Sequence, residues 1–142
     1  MTVDMPETGA LTAEQYAALA DFRFRLRRFL AFSEAAAARV GLPPQQHQAL
    51  LTLAGHAGRA PATVGLLAEQ LLIAPHSAAE LVARMVEGGL LTKGRAVEDR
   101  RRSELALTPR AEALLRTLTN AHLEELRGLA PALTDALAPV GR

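Results

Sequence analysis

Three consecutive arginines, Arg100, Arg101 and Arg102, follow Glu98 and Asp99. The segment lies between a short apolar stretch ending Gly88-Gly89-Leu90-Leu91 and an alternating one, Leu105-Ala106-Leu107, that closes on Thr108-Pro109. This pattern predicts a β-hairpin with a charged tip placed directly behind a helix. Three adjacent guanidiniums cannot all find carboxylates nearby, so the chemistry on offer is capture of a polyanion, a phosphate backbone or a narrow groove. Asp99 would be repelled there and is assigned to holding a neighbouring arginine or the backbone of the tip. A second polar set, His76, Ser77, Glu80 and Arg84, lies opposite an apolar stripe of Ala78, Leu81, Val82 and Met85. In a major groove Arg84 can pair with guanine O6 and N7, and Glu80 can accept from cytosine N4 or orient Arg84 one turn on. Ser77 and His76, near the positive end of the helix, suit phosphates. Either set alone reads as a solvated surface; a hairpin beside a helix-turn-helix favours DNA. The predicted DNA contacts are therefore His76, Ser77, Glu80, Arg84, Arg95, Arg100, Arg101 and Arg102.

The elements that must position these residues can be followed along the chain. Residues 1–10 carry no periodicity and read as a flexible tail. Leu19, Phe22, Leu26, Phe29 and Leu30 recur at helical spacing, and the helix they predict ends at Gly41, so 11–42 is assigned to an N-terminal helix. Pro43 and Pro44 punctuate, and a second helix carries His47, Leu50, Leu51 and Ala54 until Gly55 and Gly58. Thr63 is placed to cap a short third helix, Leu72-Ile73-Ala74 makes a turn, and Pro75 opens a recognition helix over about 75–88. A wing follows at about 91–107, so that 43–108 forms a winged helix-turn-helix. Thr108-Pro109 then starts a long helix that Pro131 is expected to break, with a short terminal helix after it in 109–142.

At 142 residues the chain has the length of one folding unit. Hydrophobic residues make up 49% but aromatics only 4%, so the core must be Leu, Ala and Val, and the fold class expected is mainly α with a small β-hairpin. Net charge is only +1, yet Arg84 to Arg110 holds seven basic residues against four acidic ones, which concentrates the surplus at the hairpin. The absence of cysteine excludes disulfides and thiolate metal sites. His47, His56, His76 and His122 are scattered without metal-ligand spacing, so no metal is expected, and His122 reads as a packing histidine. With no glycine-rich phosphate loop, nucleophile elbow or convergent acid pair, neither an enzyme nor a cofactor is expected. No leader or run of 18 apolar residues is visible, so no membrane is expected and the localisation read is cytoplasmic.

The whole pattern resembles the MarR family of winged-helix transcriptional regulators. The likeness is carried by the long first helix, Leu67-Ala68, the Gly89-Leu90 helix exit, Asp99-Arg100-Arg101 in the wing, Leu107-Thr108-Pro109 and the long last helix. It implies a homodimer whose first and last helices interlock, with two reading heads on a palindromic operator in double-stranded DNA. It places Arg100 or Arg101 at the minor groove and Ser77, Glu80 and Arg84 at the major groove. It also implies a repressor released by a small aromatic or phenolic effector lodged between dimer helices and reading head. A pocket near Phe22, Phe29, Phe32 and His47, with Arg23 or Arg27 meeting a carboxylate or phenolate, is the expected ligand-binding site. The recognition helix, opening Ala74-Pro75-His76-Ser77-Ala78-Ala79, has fewer hydroxyls than many relatives, and without cysteine the chain stands outside the thiol-sensing branch. Dimerisation also follows from the stripes themselves, because burying around ten Leu and Phe side chains at roughly 1.5 to 3 kcal/mol each outweighs any few surface ion pairs. The alternative is a dimeric small-molecule or partner-protein binding module without specific DNA binding.

Overall fold

The computed structural model describes residues 2–4, 9–57, 59, 61–95 and 103–138. The element order is α1 (Ala13–Arg39), α2 (Pro44–His56), α3 (Val64–Leu71), α4 (Pro75–Glu87), β1 (Leu91–Arg95), β2 (Ser103–Leu107) and α5 (Pro109–Leu137). Among the described residues the fold is mainly helical, as the composition predicts, with one two-stranded antiparallel hairpin where the alternating pattern placed it.

Local chemistry sets most of the boundaries. Thr12 and Gln15 exchange backbone-to-side-chain hydrogen bonds of 2.8 and 3.1 Å, a capping box that starts α1. Gly41, at φ +74°, ends it: the Leu42 N–H turns back to the Ala37 carbonyl at 2.9 Å, a step a side chain would resist. Pro44 and Pro75 occupy first turns, where no N–H is needed. The Thr63 hydroxyl accepts the Leu66 N–H at 3.1 Å and caps α3 as expected. In the hairpin Leu91 faces Leu107 and Lys93 faces Leu105.

α2 stops at His56, between Gly55 and Gly58. One departure from the sequence reading concerns a helix end: α5 runs through Pro131 to Leu137 without the expected break. Proline removes one backbone donor, here the partner of the Arg127 carbonyl. Arg127 is on the exposed surface, so water can serve that carbonyl, while the Thr134 hydroxyl donates to the Ala130 carbonyl at 3.1 Å in the following turn.

The chain divides into two compact units. Ser33–His122 holds the helix-turn-helix, the hairpin and a core centred on Leu50, Leu67, Val82, Met85 and Leu91. The Leu105 N–H of β2 also donates to the Ala62 carbonyl at 2.7 Å, which joins the hairpin to the segment leading into α3. The other unit combines Met1–Phe32 with Leu123–Arg142, so it contains the first part of α1 and the last part of α5. There Tyr16, Leu19, Phe24 and Leu30 of α1 and Leu123, Leu126, Leu133 and Leu137 of α5 are all exposed. Among the described residues no helix is long and apolar enough to cross a membrane.

Candidate nucleic-acid interface

The turn between α3 and α4 is made by Leu72 in the left-handed conformation, φ 57° and ψ 43°, which lets the Ile73 N–H reach back to the Ala68 carbonyl at 3.1 Å. Ala74 precedes α4 and provides no side-chain cap, so the first N–H groups of α4 have no side chain from this residue over them. Ala78, Leu81, Val82 and Met85 are buried, which anchors α4 and fixes its rotation. That rotation turns His76, Glu80 and Arg84 outward together with the small Ala79 and Ala83, while Ser77 is half-buried. No ion pair joins Glu80 and Arg84, so neither is held by the other. The expected face on α4 is therefore present.

Arg95 ends β1, opposite Ser103 in the register, and the exposed Lys93 precedes it on the same strand. Arg100, Arg101 and Arg102, with Glu98 and Asp99, lie outside the described residues.

Behind α4 the structure adds two residues that sequence reading did not assign. The Thr108 hydroxyl donates to the Gly89 carbonyl at 2.7 Å and accepts the Ala111 N–H at 3.2 Å. Arg110 Nη1 donates to the Gly88 carbonyl, also at 2.7 Å. Arg110 had counted only toward the basic surplus. The signal that could have singled it out is a guanidinium in the first turn of the helix that follows the hairpin, where a cation is disfavoured unless it has a carbonyl such as that of Gly88 to meet.

A polar cluster sits inside the same unit. His122 Nδ1 lies 2.6 Å from the Leu118 carbonyl, so that nitrogen carries the proton, and Nε2, 2.7 Å from Ser33 Oγ, accepts from the hydroxyl. His122 is thus a satisfied core histidine. His47, 2% exposed, stands edge-on to it with ring centroids 4.9 Å apart, and its buried Nδ1 has no hydrogen-bond partner among the described residues. Burial, and secondly the positive charge His122 would carry, hold the His47 imidazole below its ordinary pKa of 6.5.

A cavity of about 570 Å³ opens between α2, β2 and α5 in this unit. Its floor is apolar, with Leu53, Ala54, Leu105 and Leu115, and Glu104, Glu112, Arg116 and Asn120 stand at its edge. Neither this cavity nor a smaller one beside Arg25, Arg28 and Phe29 in the terminal unit is lined by Phe22, Arg23, Arg27, Phe32 or His47. Of the six residues expected to hold a ligand, Phe22, Phe29 and Phe32 are half-buried, Arg23 and Arg27 are exposed, and His47 is buried. Among the described residues no cluster of three or more acidic or histidine side chains could hold a metal.

Residues 40–102 match the model of the MarR family. No curated protein matches the chain significantly. Among solved structures, RV1404 from Mycobacterium tuberculosis superposes with a TM-score of 0.73 at 23% identity, over 96% of this chain and 100% of its own. AbsC, a MarR family transcriptional regulator from Streptomyces coelicolor, gives 0.66 at 21% identity over 93% and 86%. MepR of Staphylococcus aureus, in a complex with DNA, gives 0.67 at 17% identity over 78% of each chain. At these identities the likeness is one of fold.

Proposed function

From a winged helix that matches the MarR family and a fold shared with MarR-family regulators, we propose that this chain is a DNA-binding transcriptional repressor, a binding protein rather than an enzyme. It acts in the cytoplasm as a homodimer on a pseudo-palindromic operator. The reading rests on one arrangement: His76, Glu80 and Arg84 face outward from a helix whose other face is locked in the core, with a basic hairpin next in the chain. Arg84 reads guanine, Glu80 reads cytosine or steers Arg84, and His76 and Ser77 meet phosphate. Arg95, Arg100, Arg101 and Arg102 serve the flanking minor groove. The exposed apolar residues of α1 and α5 support the dimer, which sets two reading heads on half-sites about one helical turn, roughly 34 Å, apart.

Release is assigned to a small aromatic or phenolic effector. The cavity beside β2 has the size such a ligand needs, within the usual range of roughly 300 to 1,000 Å³, and Arg116 at its edge can meet a carboxylate or phenolate. The same cavity is what favours the second reading, a dimeric binding module without specific DNA contact.

Gel retardation with genomic fragments separates the two. A repressor retards selected fragments, and its affinity falls with salt at a log-log slope of about −0.9 per phosphate neutralised. Arg84→Ala is expected to cost about 1 to 3 kcal/mol on the selected site and much less on random DNA. Replacing Arg100 and Arg101 together by Ala weakens both by several-fold. Equal loss for Arg84→Ala on selected and random DNA contradicts base reading, and no retardation at low salt removes the DNA function altogether.

A further inference from the structure

We propose that Arg110 is a positioning residue for base readout. From the first turn of α5 it fixes the exit of α4, and with it the angle at which α4 enters the groove. The proposal rests on the DNA-reading function above.

Three successive carbonyls at that exit are held by only two residues. Arg110 Nη1 donates to Gly88 O at 2.7 Å, Thr108 Oγ1 to Gly89 O at 2.7 Å, and the Thr108 N–H to Leu90 O at 3.1 Å. Gly88 is the C-cap of α4, and its own N–H donates to the Arg84 carbonyl at 2.9 Å, so the bracket bears on the turn that carries the proposed base-reading arginine. Gly89 takes φ +75°, and a Cβ there would lie 3.7 Å from Arg110 Nη1, so the guanidinium sits directly over this bend. The bond is a charge-assisted one, from a cation to the negative end of a helix.

Arg110 is exposed and joins no ion pair among the described residues, so filling the core does not explain this geometry. α4 has 13 residues and is about 20 Å long, so a swing of a few degrees at its exit moves its far end by about 1 to 2 Å. The shift is largest at His76 and Ser77 and about half as large at Glu80, enough to stretch a hydrogen bond beyond its narrow distance range. The segments on either side of the bracket, Glu104–Leu107 before it and Glu112, Leu115 and Arg116 after it, line the 570 Å³ cavity. The cavity lining therefore comes within two residues of the bracket on both sides.

The test uses the full chain and compares wild type, Arg110→Ala and Arg110→Lys on a selected operator and on random DNA. Thermal unfolding and hydrodynamic mass are recorded alongside. The expected result for Arg110→Ala is operator affinity lower by about tenfold, the scale of one lost charged hydrogen bond, with random-DNA affinity within about twofold. Arg110→Lys, which keeps a cationic donor, recovers most of the loss. If operator and random DNA weaken together and the salt slope drops by about 0.9, Arg110 is a phosphate contact and the proposal fails. Unchanged operator affinity overturns it as well, as does a loss that disappears once the folded fraction is corrected for. A wild type that cannot tell operator from random DNA brings down the DNA-reading function itself, a result separate from any behaviour of the variants.

Discussion

Leucine does opposite work in the two units of this protein. In Ser33–His122, Leu50, Leu67 and Leu81 are sealed inside, and the helices that bear them are short, 8 to 13 residues, and turned back on one another by Pro44, Thr63, Leu72 and Pro75. In the unit made from the two ends of the chain, Leu19, Leu30, Leu123 and Leu133 stay in water and Tyr16 is 60% exposed. Short helices with tight turns cover one another within one chain; two long helices cannot wrap their own stripes. A set of exposed apolar residues of this extent is what an interface looks like before its partner is added. Ser33–His122 carries its own core, and in the dimer proposed above the terminal unit takes one from a second copy.

Breaking that dependence should give the largest effect. Leu19→Asp combined with Leu126→Asp puts charge on the exposed stripes of α1 and α5, and in a homodimer four charges enter the interface. Each lost leucine contact is worth roughly 1.5 to 3 kcal/mol, so the dimer should dissociate. Sedimentation equilibrium should then report 15.1 kDa where the wild type gives twice that mass. A variant that still sediments as a dimer would show that these stripes are not the interface.

How much of this could be read from the sequence divides along the same line. Helix positions inside the reading unit were legible because each is set by local chemistry: Thr63 caps, Pro75 opens, Gly41 closes, and the stripe Ala78, Leu81, Val82, Met85 faces inward. The run through Pro131 was not, since a proline's cost depends on whether the carbonyl it orphans can reach water. The outward set His76, Glu80 and Arg84 follows from helical periodicity. The bracket formed by Thr108 and Arg110 joins residues about twenty positions apart through backbone carbonyls, which no side-chain pattern records. The cavity beside β2 is likewise a product of packing, lined by alanines and leucines that look like ordinary core in the sequence.

A smaller effect should appear on acidification, at the edge of the reading unit. Ser33 and His122 are its terminal residues, and His47 packs on His122 with one buried nitrogen unpaired. Because burial lowers the His47 pKa, the unfolded chain takes up this proton at a higher pH than the folded one does. Stability from this group is therefore complete above about pH 6.5 and is lost as the pH falls from there toward the lowered folded value. Urea unfolding should show a lower midpoint at pH 5.5 than at pH 7.5. In His47→Leu, which removes the titrating ring and its unpaired nitrogen together, the difference should shrink. The same pH dependence in that variant would assign it to other groups, and an acid-driven loss of dimer mass before unfolding would move the effect out of the reading unit.

The smallest effect concerns the most exposed leucine among the described residues of Ser33–His122. Leu72 is 88% exposed and holds φ 57°, a conformation that costs an L-residue roughly 1 to 2 kcal/mol. Leu72→Gly relieves that strain and loses no packing, but it restores about 0.5 to 1 kcal/mol of chain entropy to the unfolded state. The difference should be a gain of about 0.5 kcal/mol in chemical denaturation, with hydrodynamic mass unchanged. Exposure then means two things in one molecule: at Leu72 it is the by-product of a turn, and along α1 and α5 it is the surface assigned to the proposed dimer. If Leu72→Gly instead lowers the dimer mass, the turn belongs to the interface, and the division between a self-sufficient reading unit and a dependent terminal one no longer holds.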